Sequence, residues 1–104
     1  RILALVRELE SSGRKVAAIC AAPLVLERAG VLAGREVPSY PSVRDQLPSA
    51  RVLSAPAVVS SGPVITSQGV GTALAFALAL VAELAGPAKA RELAAALQVP
   101  GGAR

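Results

Sequence analysis

The first ten residues place apolar side chains with the period of an amphipathic helix. Positions i, i+3, i+4 and i+7 of this segment are all apolar: Ile2, Leu5, Val6 and Leu9. Charged residues occupy the other face, at positions 7, 8 and 10. This spacing predicts a helix that buries the apolar face, and Gly13 is placed to end it in the left-handed conformation.

The next apolar segment shows no alternation. Residues 15–19 form an apolar run after their lysine, which is typical of a parallel strand covered on both faces. A second helix is predicted over residues 22–29, because Pro23 suits a first helical turn and Gly30 suits a helix end. Cys20, the single cysteine, therefore falls between a buried strand and a helix.

Short strands separated by turn residues fill the middle of the chain. The predicted strands are residues 36–40, 51–54, 57–59 and 64–67. Prolines at positions 38 and 41 end the first of them, and Ser61 with Gly62 forms the turn before the last. Residues 42–47 fit one helical turn with Ser42 as its N-cap.

Two helices are predicted at the end of the chain. The first runs to Leu84 and contains the longest apolar run, residues 72–82, which is well short of the ~20 residues of a membrane span and so indicates a buried helix. The second, residues 88–97, is expected to turn Leu93 and Leu97 inward. Residues 99–104 are expected to form a loose tail.

This order of elements predicts a single α/β domain with helices layered on a sheet. A doubly covered sheet usually has about five or six strands, whereas only two or three of the predicted strands suit its centre. The chain also contains no methionine and opens inside a helical pattern. We therefore expect residues 1–104 to be part of a domain whose N-terminal strands and helices are missing.

Composition excludes several classes of function. The net charge of +4 comes from basic residues scattered along the chain, without the basic stripe or aromatic platform that nucleic-acid binding requires. One cysteine and no histidine leave neither an internal disulfide nor a zinc site. We expect a cytoplasmic protein that binds no metal, cofactor or membrane.

Cys20 is the main candidate for chemistry. A strand-to-helix turn exposes nucleophiles in other α/β enzymes, it requires small neighbours such as Ala21 and Ala22, and a helix N-terminus favours the reactive thiolate. A free cysteine is equally often a small buried apolar residue. Spacing alone leaves both interpretations open.

Partners for a nucleophile are harder to find. Without histidine, no Cys-His or Ser-His-Asp arrangement can form within the chain. The acidic residues lie on predicted solvent faces, so a catalytic partner has to come from another subunit or from sequence outside this chain. The segment Gly69-Val70-Gly71-Thr72 precedes a helix and fits either an anion cradle or, more readily, a tight turn with Thr72 near the cap.

Three segments together resemble a known family. They are residues 16–23 (Val-Ala-Ala-Ile-Cys-Ala-Ala-Pro), residues 39–41 (Ser-Tyr-Pro) and residues 65–72 (Ile-Thr-Ser-Gln-Gly-Val-Gly-Thr). In this order they are similar to the ThiJ/PfpI superfamily, in particular to the branch of the parkinsonism-associated deglycase and its bacterial YajL-like relatives. The resemblance runs in register over residues 2–98.

The resemblance implies a flavodoxin-like three-layer α/β sandwich, dimeric in its full-length form. It also implies that Cys20 is a nucleophile, that the Ala21 amide belongs to its oxyanion pocket, and that Tyr40, Gly69 and Val70 lie at the pocket or the dimer contact. Members of the family are described as glyoxalases or deglycases acting on methylglyoxal or its adducts, as redox sensors under oxidative stress, and as chaperones.

The sequence departs from the family pattern at three points. The family's general acid/base is a glutamate near the N-terminus of the full domain, and no segment here matches it. Tyr40 stands where some members carry histidine, and Gly69-Val70 replaces a Gly-Pro pair. Three hypotheses remain open at this stage: a cysteine-dependent glyoxalase or deglycase, a non-catalytic redox-sensing or chaperone-like protein, and an inactive fragment.

Overall fold

The computed structural model describes residues 1–100, which form four α-helices, five strands and two 3₁₀ turns. The helices are α1 (Ile2–Ser11), α2 (Pro23–Ala29), α3 (Ala73–Ala85) and α4 (Pro87–Ala96), with 3₁₀ turns at Pro41–Gln46 and Val70–Thr72. The strands are β1 (Val16–Ile19), β2 (Glu36–Val37), β3 (Arg51–Val52), β4 (Val58–Ser61) and β5 (Val64–Ser67). Residues 101–104 of the expected tail lie outside the described residues.

The main sheet is mixed and has the order β1-β5-β4. β1 runs parallel to β5 with Ile19 opposite Ser67, and β4 pairs antiparallel with β5. β2 and β3 form a separate parallel pair. Because β1 and β5 are parallel and in register, their carboxyl ends lie side by side, which brings Cys20 next to Gln68.

Helices cover both faces of this sheet. One face packs against α1 and α2 in a core that includes Val16, Leu26, Leu32 and Val64. Ile65 points to the opposite face of β5, where α3 packs on β4 and β5 and α4 packs on α3. The predicted α/β sandwich is confirmed.

Glycines end the first two helices as predicted. Gly13 and Gly30 have φ of 77° and 78°. At each end two amides bond back to carbonyls of the last turn, which satisfies acceptors that the helix itself leaves unpaired. These local signals therefore determined where α1 and α2 stop.

The buried face of α1 differs from the predicted one. Leu3, Val6 and Leu9 pack against the core, whereas Ile2 and Leu5 are 68% and 52% exposed. Two apolar stripes overlap on this helix, and packing against α2 and β1 selected the one that begins at Leu3. Periodicity alone could not distinguish them.

Two predictions about the last helices are wrong. α3 is not a buried helix, since Leu78 is its one fully buried residue among those described and Leu84 is 75% exposed. Leu97 does not turn inward either and is 57% exposed. The small residues Ala90 and Ala94 face α3 instead, because they let the two helix backbones approach closely.

The predicted N-cap of the short turn is also wrong. The 3₁₀ turn Pro41–Gln46 starts one residue earlier, with Tyr40 at the N-cap and no capping bond from a side chain. Pro41 supplies the fixed φ that starts the turn, so Ser42 lies inside it. As for membranes, none of the helices within residues 1–100 has the length and apolar character needed to cross one.

Candidate active site

Cys20 lies in a strained turn directly after β1. Its φ is +66°, one of two positive values at non-glycine positions within residues 1–100. For a residue with a Cβ this left-handed conformation costs about 1–2 kcal/mol. Two backbone bonds hold it there, because the Cys20 amide donates to the Ser67 carbonyl at 3.2 Å and the Tyr40 amide donates to the Cys20 carbonyl at 2.8 Å.

The residues after Cys20 complete a tight turn. The Ala22 amide donates to the Ile19 carbonyl at 3.1 Å, and α2 begins at Pro23. The Ala21 amide, by contrast, donates to no backbone or side-chain acceptor within residues 1–100. A backbone donor next to the thiol is thus available to a bound group.

The half-buried Cys20 opens onto a cavity of about 320 Å³. Its lining residues come from three loops: Cys20, Tyr40, Pro41, Gln68, Gly69, Val70, Gly71 and Thr72. Tyr40 and Val70 are 47% and 93% exposed at its rim. The structure therefore gathers Cys20, Tyr40, Gly69 and Val70 around one space, with Ala21 following the cysteine.

Gly69 lies against the ring of Tyr40. A Cβ added at Gly69 would lie 3.6 Å from Tyr40 Cδ1, which is ordinary van der Waals contact. Its φ of 173° is extended backbone that any residue adopts. Closeness to Tyr40, rather than backbone conformation, characterises this position.

The segment that we call the glycine loop, residues 68–71, is held by hydrogen bonds. The amides of Gln68 and Gly69 donate to Thr72 Oγ1 at 3.2 and 3.1 Å, and the Thr72 amide donates to the Gly69 carbonyl at 3.0 Å. Gln68 Nε2 donates to the Pro56 carbonyl at 2.6 Å. These amides are already engaged, which favours a tight turn over an anion cradle.

Charge is missing from the cavity. Among the described residues, none that lines it is acidic or basic. Residues 1–100 also contain no group of three or more histidine, cysteine or acidic residues that could hold a metal ion. Within this part of the chain, the chemistry available to the cavity is that of a thiol, a phenol, a hydroxyl, an amide and backbone donors.

Sequence analysis named Thr72 only as a residue near a helix cap and gave Gln68 no role of its own in the site. Gln68 anchors the glycine loop to the segment before β4, and Thr72 binds two of its amides. One signal could have indicated them. Gln68 follows the buried strand β5 directly and Thr72 ends the turn after it, and residues at the carboxyl ends of neighbouring parallel strands lie close together.

A family model supports what the geometry indicates. The model described as the DJ-1/PfpI family matches residues 1–83. The chain belongs to the DJ-1/PfpI family. This confirms the resemblance to the ThiJ/PfpI superfamily and to its DJ-1-like branch.

Curated relatives are similar over most of this chain. DJ-1beta of Drosophila melanogaster is 47% identical over 96 residues, which are 91% of this chain and 51% of that protein. A glutathione-independent glyoxalase of Caenorhabditis elegans is 40% identical over 91 residues, 86% of this chain and 48% of the relative. A deglycase of Pyrococcus horikoshii is 40% identical over 52 residues, 50% of this chain and 31% of the relative.

Solved structures share the flavodoxin-like fold. DJ-1beta of Drosophila melanogaster superimposes with a TM-score of 0.90 at 45% identity, covering 94% of this chain and 53% of that structure. Oxidised DJ-1 of Toxoplasma gondii gives 0.82 at 32% identity, with 93% and 53% covered. The chain thus spans about half the length of DJ-1beta.

Proposed function

We propose that this chain carries the nucleophilic cysteine of a glyoxalase or deglycase that acts on methylglyoxal or its adducts. The observation behind the proposal is Cys20 itself, held in a strained turn and opening onto a cavity of about 320 Å³. Relatives described as a glyoxalase and a deglycase support this choice of activity. Three carbons of methylglyoxal fit easily in a space of this size.

In the proposed reaction the Cys20 thiolate adds to the aldehyde carbon of methylglyoxal. A carbon–sulfur bond forms, the carbonyl electron pair moves to oxygen, and the Ala21 amide stabilises the resulting oxyanion. Protonation gives a hemithioacetal. Transfer of a proton from its first carbon to the second carbon, with the hydroxyl proton passing to the second oxygen, yields a lactoyl thioester, and water then releases lactate and regenerates the thiol.

That proton transfer requires a general base. No acidic residue among residues 1–100 lines the cavity. The family resemblance assigns the role to a glutamate, which in this proposal belongs to the part of the relatives' length that this chain does not span. Cys20 and the Ala21 amide are then half of the catalytic set.

The proposal is tested by measuring methylglyoxal consumption and lactate formation by a full-length form of the protein, which carries the proposed glutamate, and by its Cys20→Ala variant. Loss of at least about a hundredfold in kcat/KM is expected, since Cys20 is the single thiol of the cavity. Leu97→Ala, at an exposed position outside the cavity lining, is the matched control and should retain activity. Equal activity of Cys20→Ala and the parent protein contradicts the proposal.

A second candidate function is redox sensing by Cys20. A half-buried thiol at an open cavity admits small oxidants, and as the single cysteine it cannot be resolved by an internal disulfide. Peroxide would convert the thiolate to sulfenate with release of water. Mass spectrometry after mild peroxide treatment tests this, and an unmodified Cys20 argues against it.

We further propose that the active form is a homodimer in which residues near the cavity meet the second copy. Val70 supports this, because it is an apolar side chain that is 93% exposed beside the cavity. Val70→Asp should weaken association without unfolding the protein. Sedimentation analysis of both forms distinguishes a dimer from a monomer.

A further inference from the structure

We infer that Thr72 is a positioning residue of the Cys20 cavity, whose hydroxyl holds the glycine loop in the shape that binds the carbonyl substrate. The inference deepens the proposed function and rests on it for the identity of the substrate. The loop supplies half of the residues that line the cavity, so its shape determines the space beside the thiol.

Hydrogen-bond capacity assigns the proton of each hydroxyl. Ser67 Oγ donates to the Ala57 carbonyl at 2.5 Å, which uses its one proton. Thr72 Oγ1 lies 2.7 Å from Ser67 Oγ and 3.0 Å from the Gly69 carbonyl, so its one proton is shared between these two acceptors. Thr72 Oγ1 also accepts from two amides, those of Gln68 and Gly69.

This network links the glycine loop to the sheet. Ser67 ends β5 and is fully buried, and Ala57 immediately precedes β4. The chain of bonds runs from the loop amides through Thr72 and Ser67 to the Ala57 carbonyl. A part-buried network of this kind fixes geometry, because a group that moves leaves its partner without a hydrogen bond.

Cys20 is held by separate bonds. Its own backbone contacts are to the Ser67 carbonyl and the Tyr40 amide, and neither involves the Thr72 hydroxyl. Removal of that hydroxyl should therefore disturb the shape of the cavity more than the placement of the thiol. Loss of the Thr72 hydroxyl should therefore weaken substrate binding, measured as KM, more than it lowers kcat.

The test compares Thr72→Val, Thr72→Ser and Thr66→Val in the same full-length form of the protein. Valine has the shape of threonine without the hydroxyl, and serine restores it. Thr66→Val is the matched control, because Thr66 is a fully buried neighbour whose hydroxyl has no partner within residues 1–100.

The first measurement is amide hydrogen exchange at Gln68 and Gly69. Thr72→Val should accelerate both by about tenfold, the ratio that matches loss of one ordinary hydrogen bond, while Thr72→Ser and Thr66→Val leave them near the parent rate. This measurement needs no substrate. Unchanged exchange in Thr72→Val overturns the inference whatever the activity is.

The second measurement is the kinetics with methylglyoxal. Thr72→Val should raise KM by about tenfold with kcat changed by less than about threefold, and Thr72→Ser should restore KM. An equal effect of Thr66→Val, or no change in KM, overturns the positioning role while Cys20→Ala still tests the proposed function. If Thr72→Val does not fold, Ser67→Ala breaks the link to Ala57, and an unchanged KM in that variant contradicts the inference.

Discussion

The amide of Tyr40 donates a 2.8 Å hydrogen bond to the carbonyl of Cys20. This bond joins two residues that lie 20 positions apart and places the phenol ring at the rim of the cavity into which the thiol opens. On its other side the Cys20 amide donates to Ser67. Cys20 is thus held between two segments, in a backbone conformation that it would rarely adopt alone.

The strained backbone at Cys20 predicts that a glycine variant is more stable than an alanine variant at this position. Cys20→Gly should be more stable than Cys20→Ala by about 0.5–1 kcal/mol, because relief of a positive φ outweighs the extra unfolded-state entropy of glycine. Ala21→Gly, where φ is not positive, should instead destabilise by a similar amount. Urea denaturation measures both, and a Cys20→Gly variant less stable than Cys20→Ala would show that the turn is unstrained.

A side chain at Gly62 is expected to destabilise the protein. Its φ is +60°, and an added Cβ would lie 2.6 Å from Arg35 Nη1. That guanidinium cannot move freely, since it donates to the Ser61 carbonyl and to the Glu10 carboxylate. Gly62→Ala should therefore cost about 2–3 kcal/mol, of which about 1–2 kcal/mol is the backbone conformation.

Gly34→Ala is the matched control for this substitution. Gly34 has a φ of +71° and no atom within 4 Å of an added Cβ. The Gly34→Ala variant should lose about 1–2 kcal/mol of its free energy of unfolding, through the backbone conformation alone. An equal loss of stability in the two variants, measured by thermal unfolding, would mean that the Arg35 side chain moves aside from the added Cβ without an energetic cost.

Thr66→Val should leave stability unchanged or raise it by up to about 1 kcal/mol. The Thr66 hydroxyl is fully buried and has no partner within residues 1–100, so the native state bears its desolvation cost without a bond. Thr72→Val should destabilise, because that hydroxyl is bonded. Denaturant midpoints for both variants check the contrast, and a destabilised Thr66→Val would reveal a bonded hydroxyl.

Glu83 predicts a small acid-dependent loss of stability. The Ser60 hydroxyl at 2.9 Å, and next the Lys15 ammonium at 3.2 Å, lower the pKa of Glu83 below its ordinary value of 4.5. A carboxyl whose pKa is lowered on folding adds stability above the unfolded value, and this is lost as pH falls through the folded value. Because the pair is exposed, the effect should not exceed about 0.5 kcal/mol.

The measurement for Glu83 is the stability of Glu83→Gln from pH 7 to pH 3. The variant should be slightly less stable than the parent at pH 7, and the difference should shrink below pH 4.5. A difference that grows on acidification would contradict the assigned direction.

Local signals predicted most of the elements but not which residues they bury. β1, α2 and both glycine caps follow from composition and backbone preference within a few residues. The buried face of α1 and the exposure of Leu97 do not follow from these local preferences, since both depend on where a neighbouring helix packs. For the site, the family resemblance indicated Cys20, Ala21, Tyr40, Gly69 and Val70, and it gave no role to the Thr72 hydroxyl, whose partners depend on how the glycine loop folds back.

By itself, the sequence determined where β1 ends, where α2 begins and that a lone cysteine lies between them. These features depend on side-chain size, proline and glycine, which act over a few residues. Only the tertiary structure decided that the glycine loop and Thr72 line the same cavity as that cysteine. The reason is the parallel pairing of β1 with β5, which joins residues almost 50 positions apart and brings their carboxyl ends to one edge of the sheet.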